Sequence, residues 1–376
     1  MLLTIFDAML WWLIISTVYI IYFYKMISYL ISWVRISAKY PQVAKSVSII
    51  VPFRNEQQNL DRLVKGLAHQ KGVDFEVIFV NDHSEDNSEE QLLSSLKNSQ
   101  FNYKILHLSV TQGKKAALTL GIENAQNEII ITTDADCYMG KNWMETLIGP
   151  FEQDQIQMVA GPVGFIQRGL LSEMLSIELL SLIGVSAATI QQGEPTMANG
   201  ANLSFRKSIF DELNGYEGLL ETPSGDDELF MRKVQLAYPN SVRFCKNEEA
   251  LVVTEPPANW SDVLSQKIRW ASKWNKGHRP KIQLLAFLIG LLQISQIGAF
   301  ILMLLSIQYL IIGFLLLFSR YLIEFTLTYR VSRDVGLTRP SIGVFTLSFI
   351  IYPFYALYIA LVANFGSYTW KGRQYK

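Results

Sequence analysis

Two aspartates, one residue apart, end an apolar run near the middle of the chain. Asp134 and Asp136 close the segment 128–136 (EIIITTDAD). Carboxylate oxygens at this spacing can bind a hard cation such as Mg²⁺ or Mn²⁺, which can in turn hold a diphosphate. The alternative is a solvated acidic loop, and the pair alone does not decide between the two.

A second group of acids follows Gly225, at Asp226, Asp227 and Glu228. Neighbouring carboxylates raise one another's pKa, so such a cluster suits a second cation or a general base. The structural alternative is the first turn of a helix, where the helix dipole favours acids and Ser224 would be the cap.

A third group combines an amide, a cation and an indole ring. Gln266 and Arg269 are three residues apart and would share one face of a helix, with Trp270 next to them. An arginine beside a tryptophan can contact a phosphate or a sugar ring. The alternative is a helix at a membrane surface, where tryptophans and basic residues are expected in any case.

The elements that must position these residues are predicted to be strands of a parallel sheet. Four nearly continuous runs of Val, Ile and Phe alternate with helical patterns, at 47–53, 75–82, 103–108 and 128–136. Strands buried on both faces have this composition, and the helices between them imply an α/β fold. Ligands of such sheets bind beyond the carboxyl ends of the strands. The ends of the first three runs carry Pro52, Asn55 and Glu56; Asn81, Asp82, Ser84 and Asp86; and Gln112, Lys114 and Lys115.

Taken in order, these motifs resemble family 2 glycosyltransferases with the GT-A fold. The resemblance is closest to their membrane-integrated branch, which includes cellulose, chitin and hyaluronan synthases and ceramide glucosyltransferase. It covers about residues 46–280. Six motifs carry it: Pro52-x-x-Asn55-Glu56, Val80-Asn81-Asp82-x-Ser84-x-Asp86, Gly113-Lys114, Asp134-x-Asp136, Gly225-Asp226-Asp227-Glu228 and Gln266-x-x-Arg269-Trp270.

The resemblance implies a donor pocket for a nucleotide-diphosphate sugar, with UDP as the expected nucleotide. Asp82 would reach the base, and Asp134 would face the ribose or a phosphate. Asp136, with Asp134 beside it, would bind the divalent cation, Mg²⁺ or Mn²⁺. The remaining residues of this pocket would be Pro52, Glu56 and Lys114.

The resemblance also implies an acceptor end of the site. Asp227, preceded by Asp226 where the family usually has Glu, would be the general base, and Gly200 and Asn202 would lie under the acceptor. One base without a carboxylate nucleophile implies direct displacement with inversion. Gln266, Arg269 and Trp270 would complete this end, with Arg269 near the leaving diphosphate.

One departure from the family pattern and one further candidate ligand lie after the Arg-Trp pair. Lys273 stands where polymerising members often have Gly, which weakens a direct transfer of their activity to this chain. His278 is a further candidate ligand, but a lone histidine beside basic residues is more often an interfacial side chain.

The composition places the domain beside membrane helices. Half of the 376 residues are hydrophobic and only 18% are charged, against about 25% in soluble domains. The excess lies at the ends, which predicts an N-terminal anchor at 1–36, a catalytic domain at 46–280 and two to three spans at 281–376. The segment 170–190 is predicted to be a core helix, with a helix lying on the bilayer as the alternative.

Charge and cysteine content limit location and partners. Basic residues after the first span predict a cytoplasmic catalytic domain on an inner or plasma membrane. With 33 basic and 33 acidic residues there is no surplus for a nucleic acid. Two cysteines cannot form a disulfide framework. The last apolar stretch, 341–370, contains Pro353 and is predicted to be a span, with a re-entrant or interfacial segment as the alternative.

The predicted function is transfer of one sugar to a hydroxyl of a membrane-bound, lipid-type acceptor. Three or four spans are few to enclose a polymer channel, which favours a lipid acceptor over an extruded polysaccharide. A processive polysaccharide synthase is the first alternative. A nucleotide-sugar-binding membrane subunit without catalysis is the second, and it is disfavoured because the acidic residues and Arg269 are all present.

Overall fold

The computed structural model describes residues 2–41, 43, 45–218, 225–271, 280–305, 307–365, 368–370 and 373–375. Three residues of the predicted motifs, Ser224, Lys273 and His278, lie outside the described residues. For Asp226 the description covers the backbone and not the side chain.

A seven-stranded sheet forms the centre of the middle segment. Its strands are β1 Val47–Phe53, β2 Phe75–Asn81, β3 Asn102–His107, β4 Ile129–Thr132, β6 Met158–Ala160, β8 Leu203–Arg206 and β9 Val242–Phe244. The order is β3-β2-β1-β4-β8-β6-β9, in which only β8 runs antiparallel to its neighbours. The four predicted strands and their parallel pairing are therefore confirmed.

A smaller sheet continues directly from the end of β4. Its strands are β5 Cys137–Met139, β7 Val163–Phe165 and β10 Val252–Thr254, in the order β5-β10-β7. Since β5 begins one residue after Asp136, this sheet fixes the backbone on the far side of the acidic pair.

The helices of the middle segment cover both faces of the large sheet. They are α2 Leu60–Ala68, α3 Ser88–Leu96, α4 Lys114–Glu123, α5 Trp143–Ile148, α6 Leu170–Gln191, α7 Lys207–Glu212, α8 Asp226–Ala237 and α9 Trp260–Ala271, with 3₁₀ turns at Gly149–Glu152 and Glu248–Ala250. Alternate residues of β1 enter different cores: Ile49 and Val51 pack with α2 and α5, and Ile50 packs with α4. Burial on both faces explains why β1, β2 and β4 are mostly apolar, whereas β3 at the sheet edge is partly exposed.

Four long apolar helices flank this domain: α1 Leu2–Arg35, α10 Pro280–Leu305, α11 Ile307–Asp334 and α12 Ile342–Phe365. A short hairpin of β11 Tyr368–Trp370 and β12 Arg373–Tyr375 follows. Among the described residues, five helices are long and apolar enough to cross a membrane, namely α1, α6, α10, α11 and α12. The predicted hairpin of two spans corresponds to α10 and α11, and the last stretch is one helix that contains Pro353.

The helix α6 joins the domain to the flanking helices. It packs against α1, α11 and α12 on one side and against β7 and β9 on the other, and about half of it is buried. The predicted helix is confirmed, and the choice between a core helix and a helix lying on the bilayer stays a prediction. The C-terminal ends of α1 and α11 lie together, because the Trp33 indole N–H donates to Asp334 Oδ2 at 2.9 Å.

Both cysteines, Cys137 and Cys245, are buried free thiols. Burial raises the pKa of the Cys245 thiol to about 12, so it stays protonated and unreactive.

Candidate active site

The loops that follow β1 and β2 are joined by hydrogen bonds. Asn55 has a left-handed backbone (φ 54°), and its N–H donates to Ser84 Oγ at 3.1 Å. Its side-chain oxygen accepts from the Glu85 N–H at 2.8 Å, and the Glu56 N–H donates to Ser88 Oγ at 2.7 Å. Asparagine tolerates this backbone better than most residues, so its presence in the motif has a structural reason. The two loops therefore form one unit at the carboxyl ends of the strands.

Asp86 strengthens the same unit. Its carboxylate accepts from the Gln57 N–H at 3.3 Å and from the Ser88 N–H at 3.0 Å. Burial alone would raise the pKa of Asp86, but these bonds and one from the Ser88 hydroxyl lower it below its ordinary value. The acid is therefore held in its charged form by the loop that it supports.

Asp82 connects the second strand end to the third. The residue is only 5% exposed, and its Oδ2 accepts from the Gly113 N–H at 3.1 Å. Gly113 has φ 98°, a backbone that favours glycine, and α4 begins at the next residue. This turn directs Lys114 toward the fourth strand end, where its Nζ lies 2.5 Å from Asp134 Oδ1.

The acidic pair lies beyond the end of β4. Ala135 is buried, whereas Asp134 and Asp136 on either side of it are partly exposed. Asp136 Oδ2 accepts a hydrogen bond from Thr254 Oγ1 at 2.9 Å, which fixes its orientation. The structure thus places Asp82, Lys114, Asp134 and Asp136 in one connected set, as the strand ends predict.

The donor chemistry of this pair fits a hard divalent cation. Two carboxylates supply oxygen ligands, and the part of the chain that the structure describes contains no cluster of three or more Asp, Glu, His or Cys that would form a complete protein cage. Such a pair leaves coordination positions for phosphate oxygens and water, which is how Mg²⁺ is usually bound. Burial and the two aspartates raise the pKa of Cys137 well above its ordinary value, so the adjacent sulfur stays a neutral thiol.

Thr254 and Glu255 belong to this region but were not identified from the sequence. Glu255 Oε1 accepts hydrogen bonds from Arg62 at 3.2 Å, Arg168 at 2.8 Å and the Tyr138 hydroxyl at 3.3 Å. The Arg62 guanidinium also lies 3.3 Å above the Tyr138 ring. Glu255 therefore ties α2 and β5 to the end of β10 next to Asp136. The available signal was a short β-rich run, Val252–Thr254, that is followed by an acid, as the runs 75–82 and 128–136 end in one.

Asp227 lies in the first turn of α8, after Gly225 with its left-handed backbone (φ 87°). Its Oδ2 accepts from the Gly200 N–H at 3.0 Å and its Oδ1 from the Glu228 N–H at 2.7 Å. The Gly200 carbonyl in turn accepts from Thr132 Oγ1 at 2.8 Å. Two predicted residues, Asp227 and Gly200, are therefore in contact, and Thr132 connects them to the strand that leads to Asp134.

Asn202 is placed differently from its predicted contact with an acceptor. It is fully buried, and its Nδ2 donates to the Pro162 and Ala250 carbonyls at 2.7 and 2.8 Å. Its Oδ1 accepts from Trp143 Nε1 at 2.9 Å. Because all three bonds are made in the buried interior, the Asn202 side chain anchors the 199–205 segment to the core. Burial of this kind is not visible in the sequence.

The third motif lies on α9, which packs against α12. Lys267 in its middle forms a buried ion pair with Glu178 of α6, with Nζ and Oε2 2.7 Å apart, and Nζ lies 4.5 Å from the Trp270 ring centre. Gln266 Oε1 is buried and has no hydrogen-bond partner among the described residues. A buried carbonyl without a partner is costly, so this atom marks a position where a ligand would be stabilising.

Comparison with known proteins agrees with this geometry. Residues 48–213, which include β1 to β4 and the acidic pair, match the sequence profile described as Glycosyl transferase family 2. The segment 48–213 is thus similar to family 2 glycosyltransferases. The fold is the GT-A fold, and a mannosyltransferase from Pyrobaculum calidifontis solved with GDP-mannose and Mn²⁺ has the same architecture. That structure aligns with a TM-score of 0.58 at 13% identity, over 93% of this chain and 96% of the other.

Curated relatives match over shorter parts of their length. A poly-beta-1,6-N-acetyl-D-glucosamine synthase from Staphylococcus epidermidis is 24% identical over 233 residues, 61% of this chain and 55% of the relative. An undecaprenyl-phosphate 4-deoxy-4-formamido-L-arabinose transferase from Pseudomonas fluorescens is 32% identical over 99 residues, 26% of this chain and 29% of the relative. The chain thus spans about half or less of these relatives.

Proposed function

We propose that this protein is a membrane-bound glycosyltransferase that moves one sugar from a nucleotide-diphosphate sugar to a hydroxyl of a lipid-type acceptor. UDP is the expected nucleotide. The observation that carries the proposal is the connected set of Asp82, Gly113, Lys114, Asp134 and Asp136 at the strand ends of a family 2 domain. The proposed division of the chain is an anchor at 1–36, this domain at 46–280 and a membrane region at 281–376.

The donor would lie along the strand ends. Pro52, Glu56 and Asp82 would line the nucleoside pocket, and Lys114 would supply positive charge beside the diphosphate. Asp134 and Asp136 would hold Mg²⁺ or Mn²⁺, which would neutralise the charge that develops on the leaving diphosphate. The Mn²⁺ in the mannosyltransferase of the same fold supports a divalent cation here.

The acceptor hydroxyl would lose its proton to Asp227. The Gly200 and Glu228 N–H groups occupy one lone pair on each carboxylate oxygen and fix the orientation of the carboxylate, so a free lone pair remains to accept the proton. Direct attack of this hydroxyl on the sugar would invert the configuration of the anomeric carbon. Arg269 and Gln266 on α9 would stabilise the departing diphosphate and orient the sugar, with Trp270 beside the acceptor.

The membrane helices support a lipid-type acceptor. The helix α9 carries three of the proposed site residues, and it packs directly against α12, one of the five candidate spans. A site bounded by such a helix suits an acceptor that is itself held in the bilayer. The undecaprenyl-phosphate transferase relative is named for a lipid-linked acceptor, which supports the same choice. The basic residues after α1 favour a cytoplasmic domain on an inner or plasma membrane.

A processive polysaccharide synthase is the second candidate, favoured by the poly-N-acetylglucosamine synthase relative, which matches 61% of this chain. Membranes that contain the full chain would be incubated with a panel of radiolabelled UDP- and GDP-sugars and a divalent cation. The proposal predicts label in the organic extract, released as one sugar per lipid, from one donor of the panel. Label in insoluble polymer would establish the second candidate, and label in neither fraction from any donor would contradict both.

A further inference from the structure

A partly open, mostly apolar chamber of about 310 Å³ lies between α1, α6, α9, α10, α11 and α12. Five of these six helices are the candidate membrane spans, and α9 is the helix of the Gln-x-x-Arg-Trp motif. The residues of α12 that line the chamber extend from Phe345 to Tyr355. At 1.5 Å per helical residue this corresponds to a length of about 15 Å. The size lies within the range of ligand pockets.

One end of the chamber reaches the helix that carries the proposed acceptor residues. Trp260, the first residue of α9, lines the chamber, and so does Glu178, which pairs with Lys267 of the same helix. On α11 the lining residues begin at Arg320, near the middle of the candidate span Tyr309–Asp334. A chain that occupies the chamber would therefore run from the site toward the centre of the membrane region.

Three polar atoms in the chamber wall are buried and have no hydrogen-bond partner among the described residues. They are Arg320 Nη1, Ser348 Oγ and the Tyr355 hydroxyl. Arg320 is only 3% exposed, and an unmet donor on a buried guanidinium is unfavourable unless a ligand or water accepts its hydrogen bond. Ionisable residues inside a membrane usually mark a functional position for the same reason.

The partners of Arg320 indicate what kind of oxygen this position accepts. Arg320 Nε lies 2.8 Å from Glu324 Oε1, and Nη2 donates to Gln293 Oε1 at 3.3 Å. The Tyr22 hydroxyl donates to the same Glu324 oxygen. The glutamate already balances the arginine charge, so the remaining donor suits a neutral oxygen better than a phosphate.

We propose that this chamber binds the hydrocarbon chain of the acceptor lipid and that Arg320 donates a hydrogen bond to a neutral oxygen, a hydroxyl or an ester carbonyl, on that chain. The inference rests on the proposed function, because it identifies the lipid class of the acceptor. It goes beyond that function by placing lipid recognition among the membrane helices, far from the strand ends.

The test uses the full chain in detergent micelles and a hexadecanol that carries a diazirine and an alkyne. Ser348→Trp and Leu182→Trp each fill the chamber from a different helix, and Ile350→Trp is the matched control because Ile350 lies on α12 outside the chamber wall. We expect saturable labelling of α11 and α12 peptides that falls at least fivefold in both filling variants and changes less than twofold in the control. Equal labelling in all four proteins would overturn the proposal.

A second probe distinguishes the contribution of the lipid oxygen from that of the hydrocarbon chain. Hexadecane with the same diazirine and alkyne should label the chamber at least fivefold more weakly than the alcohol. Equal labelling by both probes would show that the three polar atoms bind water only, and it would overturn the role of Arg320.

Two readouts keep this inference separate from the proposed function. The filling variants should bind the nucleotide-sugar donor like the original protein, which also shows that they are folded, while losing transfer to lipid. Transfer to lipid that persists in both variants would overturn the chamber and leave the function intact. Chamber-specific labelling without transfer from any donor would support the chamber and contradict the proposed function.

Discussion

The strand-end carboxylates and the polar side chains of the membrane chamber differ in how they are bonded within the protein. At the strand ends the carboxylates of Asp82, Asp136 and Asp227 each accept hydrogen bonds, and Asp134 is paired with Lys114. Around α9 and the chamber, Gln266, Arg320, Ser348 and Tyr355 each keep a buried polar atom without a partner among the described residues.

This difference implies two ways of binding a substrate. A donor would enter a site whose charged groups are already oriented, so little reorganisation accompanies its binding. An acceptor would supply hydrogen bonds that the protein lacks, so its binding would stabilise the helices that surround it. Four substitutions test this difference, in order of decreasing expected effect.

Asp227→Asn should lower the rate of sugar transfer by about 10²–10⁴-fold, the contribution of a general base. An asparagine oxygen can still accept from the Gly200 N–H, so donor affinity should change less than twofold. Radiolabel transfer and equilibrium donor binding measure the two effects. Asp211→Asn, at an exposed acid of α7, is the matched control and should change neither. Weak donor binding in Asp227→Asn would contradict the assignment.

Asp136→Asn should weaken cation-dependent donor binding at least about tenfold, or 1.4 kcal/mol. One of the two carboxylates that fit a cation is removed, while the amide oxygen can still accept from Thr254. A titration with Mn²⁺ at fixed donor concentration measures the change, with the fully exposed Asp154→Asn as the control. An unaltered Mn²⁺ titration would refute the role of Asp136.

Glu76→Gln should lower the free energy of unfolding by about 1–3 kcal/mol. The buried carboxylate accepts from Ser48 Oγ and the Gln126 N–H, both at 2.7 Å, and lies 3.3 Å from Lys104 Nζ. Thermal unfolding in detergent measures the loss, and Glu90→Gln on the exposed side of α3 should leave the midpoint unchanged. Equal unfolding midpoints for the two variants would show that the hydrogen bonds of Glu76 contribute little to stability.

Asp86→Asn should have the smallest effect, about 0.5 kcal/mol at neutral pH, because Asp86 is exposed and water screens its interactions. The pKa of Asp86 is lowered in the folded protein, so its contribution is complete above the unfolded value of about 4 and is lost as the pH falls through the folded value. The pKa of Glu76 is also lowered in the folded protein. Burial would raise it, but hydrogen bonds from Gln126 and Ser48 and the nearby Lys104 outweigh that effect. The stability difference between Asp86→Asn and the original protein should therefore shrink at acid pH. A difference that stays constant from pH 7 to pH 3 would disprove this linkage.

The parts of the fold that the sequence predicts are those that depend on uniform burial. The runs that became β1, β2 and β4 are buried on both faces, and α10 to α12 are mostly apolar, with Arg320 and Glu324 inside α11, so composition identifies them. The run that became β3 is the partly exposed edge strand of the sheet. The antiparallel β8 is different, since Leu203–Arg206 is a four-residue strand inserted between strands distant in sequence. Its position depends on tertiary contacts that no local pattern records.

The site shows the same limit. Asp134, Asp136 and Asp227 could be identified because acids at strand ends and helix starts follow simple local rules. Asn202 looked like an acceptor contact because its burial cannot be seen from neighbouring residues. Glu255 was missed because Pro256 and Pro257 after it resemble an ordinary loop, and Arg320 was only a charge that interrupts an apolar stretch until the helices around it were assembled.

Equilibrium binding of the nucleotide-sugar donor with Mn²⁺ tests the contrast between the two regions most directly. It would be measured on the purified full chain in lipid-free detergent, with and without added hexadecanol, and in the Ser348→Trp variant. We predict the same donor affinity, within twofold, in all three conditions, and its loss on removal of Mn²⁺ with EDTA. A donor affinity that rises tenfold with the alcohol, or falls tenfold in Ser348→Trp, would contradict a donor site that is complete without the lipid.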